Sequence, residues 1–362
     1  MKSLQRLRQQ IDRIDRQLVA WLNARARLAA SIGRMKLKDG QGAFSPDREQ
    51  LVYRHAVAAG RGPLSAEALR AIFREVMSSS LSTVATPVIA FQGPPMSFAS
   101  LAARRKFGSQ VKFMDCQTIG DVFVEAERGR ADYGVVPIEN SVEGTVGYTL
   151  DRLVETDLVI SSEVLQPVDH QVVGMCPLSR VRRLYLHPQA HAQCRTWIET
   201  HLPRAKLVET LSTSMAAAMA HNHPKGAAAV ASAEAARRYR LKILARSVGD
   251  SSQNVTRFFV IGRTMARPTG RDKTSLVFSI KDHVGALHDM LVPFRRNRIN
   301  LTKIESRPSK RKIWDYYFFV DLEGHAQSPS VARALADLEE RCTFMKVLGS
   351  YPASEDSNGR GR

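Results

Sequence analysis

The first predicted helix carries a positive charge within an otherwise apolar row of side chains. The apolar residues recur at alternating three- and four-residue steps, as in a helix that packs against other helices. They are Leu4, Leu7, Ile11, Ile14, Leu18, Trp21, Leu28, Ile32 and Met35. Arg25 takes the step between Trp21 and Leu28, where the same helix face offers no nearby acid. A buried guanidinium needs an anionic partner because it cannot lose its proton. The pattern therefore predicts either a solvated cation that reaches out of the row or a site for an anionic ligand.

Further charges favour the anionic ligand. Lys36 follows close to three turns later on nearly the same face, roughly 16 Å away by helical rise. Arg8 adds a third cation near the start of the helix, and Arg48 and Glu49 stand together in the next predicted helix. We interpret this set as a site for a dianion inside a helical bundle.

The elements that would hold these residues are all helical over residues 1–84. The first helix is expected to end near Lys38, and Ser45-Pro46-Asp47 is typical of an N-cap, an N1 proline and a first-turn acid. Ser65 is expected to cap a third helix, on whose apolar stripe Ser80 is the polar exception. Three helices of this kind leave apolar surface uncovered, which predicts dimerisation through the long helix.

Residues 87–265 alternate short apolar strands with helices, the order of an α/β domain. Polar residues follow several strands where the next helix begins, and open α/β sheets bind anions there because backbone N–H groups point outward. These segments are Ser97 after the first strand, Glu139-Asn140-Ser141, His187-Pro188-Gln189 with Gln193, and Ser212-Thr213-Ser214; Asn254-Val255-Thr256-Arg257 precedes the closing strand. Four such turns are more than helix capping requires.

Residues 272–351 read as strand, helix, strand, strand, helix, strand, which is a ferredoxin-like βαββαβ fold. Pro268 to Lys273 form an expected linker, and residues 352–362 an expected disordered tail.

The composition narrows the function further. The net charge of +18 comes from dispersed basic residues without interleaved aromatics, so we attribute it to solubility and to the steering of anionic substrates rather than to specific nucleic-acid binding. Four scattered cysteines without a C-x-x-C pair, no signal peptide and no apolar run of membrane-spanning length indicate a cytoplasmic protein. Nothing in the histidine or cysteine spacing predicts a metal or another cofactor.

In their order and content, these segments resemble the bifunctional chorismate mutase–prephenate dehydratases of phenylalanine biosynthesis. The resemblance covers almost the whole chain. The four motifs that carry it, in order, are Pro137-Ile138-Glu139-Asn140, Thr256-Arg257-Phe258, Gly285-Ala286-Leu287 and Glu305-Ser306-Arg307-Pro308. It implies an all-α three-helix mutase module, a two-lobed α/β dehydratase domain like the periplasmic binding proteins, and an α+β ACT domain.

By this resemblance the helical module rearranges chorismate to prephenate. The implied residues are Arg25 and Lys36 on the carboxylates and ether oxygen, Arg8 from the partner protomer, Arg48 and Glu49 completing the cage, and Ser80 on its wall. A unimolecular rearrangement of a dianion needs a compact conformer and positive charge at the breaking C–O bond, but no nucleophile.

The α/β domain would convert prephenate to phenylpyruvate, water and carbon dioxide. The resemblance implies that Thr256 assists the departing hydroxyl and that other side chains line the site or bind substrate, namely Glu139, Asn140, Gln193, Ser97, Ser212, Thr213 and Arg257 as a carboxylate anchor. Orienting the ring and helping hydroxide to leave is the protein's task, since aromatisation drives the reaction.

The third domain would bind L-phenylalanine between two protomers as a feedback inhibitor. The residues implied are Gly285, Ala286 and Leu287 at a helix start and Glu305, Ser306, Arg307 and Pro308 at a strand end. Inhibition would require phenylalanine to bind one conformation more tightly than another.

Several positions depart from the family pattern and keep two alternatives open. Val84 stands where a Gln or Glu contacts the ether oxygen, and Leu186 stands where the family has serine. Pro95 and Met96 replace an acid and a glycine after the first strand. One alternative is therefore the same fold with one activity weakened or lost. The other is a basic, phenylalanine-sensing regulatory protein that binds nucleic acid.

Overall fold

The computed structural model describes residues 2–38, 42, 44–281, 283–309 and 315–354. The chain divides into two compact units. The first combines Met1–Val88 with Lys106–Lys112, and the second combines Ile89–Arg105 with Phe113–Arg362. Within the described part of the chain, no helix is long and apolar enough to cross a membrane. Most of the expected tail, from residue 355 onward, lies outside the described residues.

The first unit is helical, as the sequence predicts. Its helices are α1 (Lys2–Lys38), α2 (Pro46–Ala59) and α3 (Ala66–Ser82). The Ser65 hydroxyl accepts a hydrogen bond from the backbone N–H of Ala68 at 3.1 Å and so caps α3. Ser45 occupies the N-cap position of α2, but its side chain makes no capping bond and instead contacts Lys36.

Helix α1 exposes the apolar row that the sequence predicts to be a packing face. Trp21 is 71 % exposed and Leu28 is 68 % exposed in the single chain. On another face, Gly33 of α1 lies close to Val84, two residues after the end of α3, because a Cβ atom on Gly33 would lie only 2.7 Å from the Val84 side chain. One chain therefore covers only part of the apolar surface of this helix.

Residues 88–262 alternate strands and helices and confirm the α/β prediction. The elements are β1 (Val88–Gln92), α4 (Phe98–Phe107), β2 (Lys112–Cys116), α5 (Ile119–Glu127), β3 (Tyr133–Asn140), β4 (Gly144–Thr145), α6 (Gly147–Glu155), β5 (Val159–Pro167), β6 (Gln171–Gly174), β7 (Arg183–Leu186), α7 (Pro188–Gln193), α8 (Arg195–His201), β8 (Lys206–Glu209), α9 (Thr213–Asn222), β9 (Ala227–Ala231), α10 (Ala233–Arg238), β10 (Lys242–Ala245) and β11 (Val255–Gly262).

These strands form two sheets, so the α/β region has two lobes. The first sheet has the order β2-β1-β3-β11-β5 with β4 added on β3, and the second has the order β10-β6-β9-β7-β8. In the first sheet β1 and β3 are parallel, whereas β11 runs antiparallel to β3. In the second, β7 is parallel to both β8 and β9. The chain start of β11 therefore lies beside the chain end of β3.

The third domain has the predicted βαββαβ order. Its elements are β12 (Asp272–Ser279), α11 (Ala286–Arg296), β13 (Leu301–Pro308), β14 (Tyr316–Glu323), α12 (Pro329–Glu339) and β15 (Phe344–Pro352). The sheet has the order β13-β14-β12-β15 and every neighbouring pair is antiparallel. Both helices pack their apolar side chains on it, including Phe294 and Leu338.

Strand β15 also packs against β5 of the first α/β sheet. Gly349 lies so close to the backbone of Ile160 that a Cβ atom there would overlap the Ile160 carbonyl oxygen. Nearby, the Lys346 ammonium donates to the carbonyl oxygens of Leu153 and Val154, each at 3.1 Å, at the C-terminal end of α6. A cation at this end of a helix is favourable because the last carbonyls lack partners within the helix.

Candidate active sites

In the helical unit, Arg25 and Ser80 meet between α1 and α3. The Nη1 group of Arg25 donates to the Ser80 hydroxyl oxygen at 2.8 Å, and that hydroxyl donates to the backbone oxygen of Val76 at 2.7 Å. Ser80 is buried, so its orientation is fixed by α3 itself. The structure thus gives Arg25 a defined direction, although a guanidinium carries five N–H donors and this contact engages one.

The charge around Arg25 suits an anion. Burial lowers the pKa of Arg25, and the positive charge of Arg48 lowers it further. Two cations that destabilise each other in this way form a local excess of positive charge that a bound carboxylate would relieve. The structure thus brings Arg25, Arg48 and Ser80 close to one another.

Three other predicted residues of this unit, Lys36, Glu49 and Arg8, either contact other side chains or lie far from Arg25 along the helix. The Lys36 ammonium donates to the Ser45 hydroxyl. Glu49 is buried and accepts hydrogen bonds from Tyr53 at 3.3 Å and from Lys106, which belongs to the same unit. Arg8 is exposed on α1, roughly 25 Å from Arg25 by helical rise, so one chain does not bring these two together.

In the second unit, the end of β3 and the start of β11 bring Asn140 and Thr256 side by side. The two residues are direct partners in the antiparallel register. The side-chain amide of Asn140 donates to the Thr256 hydroxyl oxygen at 2.9 Å. Because that oxygen accepts this bond, the hydroxyl hydrogen can be donated to a ligand.

Gln193 joins this group from α7 through Asn254, which the sequence analysis named only as part of a polar segment, and through His170, which it did not identify. Asn140 also donates to the Asn254 side-chain oxygen at 2.8 Å, and the Asn254 amide donates to the Gln193 side-chain oxygen at 2.8 Å. His170 contacts the same oxygen at 2.8 Å, and the Gln193 amide donates to Glu143 at 2.5 Å. Asn254 stands two residues before Thr256, a signal that was available; His170 has no local pattern that marks it.

Two helix N-termini follow strands of the two lobes, as predicted. The Ser97 hydroxyl accepts from the backbone N–H of Ser100 at 3.2 Å, and Ser212 caps α9 by accepting from the N–H of Met215 at 3.0 Å. Thr213 is the first residue of α9. Ser214 donates to the backbone oxygen of Pro95 at 2.7 Å, so the altered turn after β1 contacts the start of α9.

Glu139 and Arg257 do not join this group. They are register partners one residue away from Asn140 and Thr256, and side chains of successive strand residues point to opposite faces. Arg257 is instead buried in ion pairs with Glu163 at 2.8 Å and with Asp321, and it donates to the Tyr351 hydroxyl at 3.0 Å. Glu139 pairs with Lys303 at 3.0 Å. This geometry does not fit the expected carboxylate anchor, because protein carboxylates already neutralise the guanidinium of Arg257.

The ACT-like domain presents its predicted residues in two places. Gly285 begins α11 with a φ of 84°, in the left-handed region that glycine adopts without strain, followed by buried Ala286 and exposed Leu287. On edge strand β13, Ser306 and Pro308 are exposed.

The two charged residues of β13 contact the α/β region. The Thr145 hydroxyl donates to Glu305 at 3.0 Å. The Arg307 guanidinium donates to both oxygens of Asp151, at 3.3 and 3.4 Å. The predicted ligand-binding strand is therefore tied to the segment that follows Asn140.

Comparison with known proteins assigns these regions to families. Residues 7–83 match the type II chorismate mutases, residues 89–266 the prephenate dehydratases and residues 274–340 the ACT domains. A bifunctional chorismate mutase/prephenate dehydratase of Aquifex aeolicus is 45% identical over 97% of this chain and 98% of its own length. The chain belongs to the bifunctional chorismate mutase/prephenate dehydratase family.

Solved structures agree with the fold of the second unit. A prephenate dehydratase from Arthrobacter aurescens in complex with L-Phe is 35% identical, with a TM-score of 0.67, and the match covers 74% of this chain and 90% of that one. The structure of GqqA, named as a novel type of quorum quenching acylase, is 34% identical with a TM-score of 0.68. That match covers 75% of this chain and 100% of that one. The expected fold classes of this bifunctional family are thus confirmed.

Proposed function

We propose that this bifunctional enzyme rearranges chorismate to prephenate in its helical unit and converts prephenate to phenylpyruvate, water and carbon dioxide in its α/β region. The single observation that carries the second assignment is the Asn140–Thr256 hydrogen bond at the edge where β3 ends and β11 begins. It makes the threonine hydroxyl a directed donor within a group of neutral polar side chains.

In the mutase reaction, the helical unit would hold the dianion by charge. The Arg25 guanidinium, oriented by Ser80, and the Lys36 ammonium would bind carboxylate and ether oxygens of chorismate. Arg48 would add positive charge where the breaking C–O bond becomes anionic. Glu49, neutralised by Lys106, would take part as a hydrogen-bonding wall rather than as a catalytic base.

In the dehydratase reaction, electrons of the breaking C–CO2 bond enter the ring and leave with the ring hydroxyl. Thr256 would donate a hydrogen bond to that oxygen and so stabilise the departing hydroxide, which becomes water by taking up one proton from solvent. Asn140 holds the Thr256 oxygen by donating to it, and Gln193 faces the same group from the second lobe. Ser97, Ser212 and Thr213 would offer hydroxyls and backbone N–H groups to the two carboxylates.

We further propose that L-phenylalanine inhibits the enzyme by binding at Gly285–Leu287 and Glu305–Pro308, and that the active form is a homodimer or a higher homo-oligomer. The exposed apolar row of α1 supports self-association, since a second copy of α1 would bury it.

A cytoplasmic location, no cofactor and no specific nucleic-acid partner remain part of the proposal. The four cysteines carry free thiols, which suits a reducing compartment.

The test is turnover by the purified full-length chain. Prephenate is supplied with and without phenylalanine, and phenylpyruvate is measured; chorismate is then supplied to the same preparation. We expect both turnovers and suppression of the dehydratase by phenylalanine. Folded protein without phenylpyruvate formation would contradict the dehydratase assignment and direct attention to Pro95, Met96 and Leu186. Sequence-selective DNA binding without turnover would favour the regulatory alternative.

A further inference from the structure

The side-chain amides around Thr256 can be oriented one after another, starting from Asn140, because an amide oxygen accepts and an amide NH2 group donates. The Asn140 side-chain oxygen accepts from the backbone N–H groups of Val142 at 2.9 Å and Glu143 at 3.1 Å. A backbone N–H can only donate, so the Asn140 NH2 group must face the other way, toward Thr256 and Asn254. The amide orientation of Asn140 is therefore fixed by the backbone.

The orientation of Asn140 determines that of Asn254, which in turn determines that of Gln193. The Asn254 oxygen accepts from the Asn140 amide, which leaves its NH2 group to donate to the Gln193 oxygen. The Gln193 NH2 group in turn donates to the Glu143 carboxylate. Asn254 is buried, so water does not substitute for these partners at low cost.

His170 closes the chain at Gln193. Its Nε2 atom lies 2.8 Å from the Gln193 oxygen, which only accepts, so Nε2 carries the hydrogen. His170 is 3 % exposed, and its Nδ1 atom has no hydrogen-bond partner among the described residues. Phe98 contacts the ring edge to face at 5.5 Å between centroids. Burial lowers the pKa of His170 and outweighs the opposing effects of Gln193, Asp169 and Glu143, which favours the neutral imidazole.

We propose that Asn254 and His170 are positioning residues of the dehydratase: they fix the amide direction of Gln193 and link it, through Asn140, to the hydroxyl of Thr256. This inference rests on the proposed role of Thr256. The chain of hydrogen bonds joins the first lobe, which carries Asn140, Asn254 and Thr256, to the second, which carries His170 and Gln193. The amide orientation of Gln193 therefore depends on how the two lobes meet.

The decisive variant is Asn254→Asp in the full-length enzyme. It keeps the shape and the acceptor for Asn140 but removes the donor to Gln193, so the Gln193 amide turns over and presents its oxygen to the Glu143 carboxylate. We expect kcat for prephenate to fall about 10- to 100-fold with KM changed less than about threefold, because the lost alignment matters mainly in the transition state.

A second substitution distinguishes positioning from damage. Glu143→Gln supplies a donor to the turned amide of Gln193, so the double variant Asn254→Asp/Glu143→Gln holds that amide in the inverted direction without a carboxylate facing its oxygen. Because the proposal requires the native direction of the amide, dehydratase kcat should stay within about twofold of that of Asn254→Asp, even where the stability lost in the single variant returns. Recovery of kcat with Gln193 held inverted would overturn the proposal.

Controls separate this inference from the proposed function. Asn297→Asp removes a comparable side-chain donor, to the Pro293 carbonyl in the ACT domain, and should leave dehydratase kcat within about twofold. If Thr256→Val abolishes activity while Asn254→Asp retains parental kcat, the positioning role is refuted and the function stands. If Thr256→Val is fully active, the proposed function itself fails. Should Asn254→Asp not fold, His170→Phe, which keeps a ring beside Phe98 without a donor, must lower kcat about threefold or more.

Discussion

The two proposed reaction sites differ in what fixes the orientation of their functional side chains. At the dehydratase site, backbone N–H groups fix Asn140, and a continuous set of hydrogen bonds carries that orientation to Thr256 and Gln193. At the mutase site, long cationic side chains extend from an exposed helix, and Ser80 orients Arg25. An elimination needs one donor aimed at one atom, whereas a rearrangement of a dianion needs surrounding positive charge. Within one chain, the groups proposed for the first site already contact one another, whereas Arg8 of the second site lies roughly 25 Å from Arg25 by helical rise.

The largest effect is expected from Arg25→Met. It removes the cation that Ser80 orients, and mutase kcat should fall about a thousandfold because charge is lost where the transition state becomes anionic. Dehydratase activity of the same protein should stay within about twofold, and both rates are measured on one preparation. Arg27→Met, on the exposed side of α1, is the matched control. A more stable protein with unchanged mutase activity would instead identify Arg25 as a solvated structural cation.

Thr256→Val should produce the opposite pattern. Valine keeps the shape and removes the hydroxyl, so dehydratase kcat should fall about a hundredfold while mutase activity is retained. Phenylpyruvate formation from prephenate measures the first rate and prephenate formation from chorismate the second. Thr200→Val removes a hydroxyl from an exposed position of α8 and serves as the control. Equal losses of both activities in Thr256→Val would argue against two separately assembled sites.

Arg257→Met tests whether the second unit depends on its buried charges. It would leave the buried carboxylates of Glu163 and Asp321 without their main counter-charge, and the free energy of unfolding at pH 7 should fall by about 3 kcal/mol. Urea denaturation followed by a probe of the α/β region measures this loss. Arg195→Met, which breaks an exposed ion pair with Glu199, should cost less than about 1 kcal/mol.

The parent protein and the Arg257→Met variant should also differ in how their stability changes with acid. Burial opposes ionisation of Glu163 and Asp321, but Arg257, Lys273 and the hydrogen bonds to the two carboxylates together outweigh it and hold the pKa of both carboxyls below their ordinary range. Such groups stabilise the fold above their unfolded-state pKa, and that stability is lost as the pH falls through the lower folded-state pKa. The difference between the parent and Arg257→Met should therefore shrink below about pH 4. A gap that stays constant with pH would show that lost packing, rather than charge, explains the variant.

Asp151→Asn should have the smallest effect and concerns regulation. It weakens the contact between Arg307 and residue 151. If bound phenylalanine competes with Asp151 for Arg307, the weaker contact favours binding, and half-inhibition should occur at about threefold lower phenylalanine concentration. Inhibition curves with prephenate as substrate measure the shift. Glu340→Gln, on an exposed position of the same domain, is the control, and an unchanged or higher half-inhibitory concentration would contradict the coupling.

Local patterns were sufficient to predict the long elements. The end of α1 near Lys38 and the βαββαβ order both follow from apolar periodicity and turn residues. Strand β9 (Ala227–Ala231) was not predicted, because alanine has little preference for strands; it is a strand because it is buried in the centre of the second sheet.

Within the sites, the sequence could not show which face of a strand points toward the proposed site and which face another domain covers. Side-chain alternation along β3 and β11 places Glu139 and Arg257 on the face opposite to Asn140 and Thr256. Only the structure shows that the ACT-like domain covers the face that carries Arg257. His170 was missed for a related reason, since its partner Gln193 is distant in sequence and lies on another element.

The close contact of Gly349 with Ile160 limits which substitutions and domain exchanges this chain can accept in evolution. Its α-carbon faces the backbone of Ile160, so the seam between the regulatory and catalytic domains leaves no room for any side chain at that point. A gene exchange that replaced the third domain would have to bring a glycine in the same register, together with a cation able to take the place of Lys346 at the end of α6. We therefore expect an exchanged third domain to be tolerated only where both features are matched.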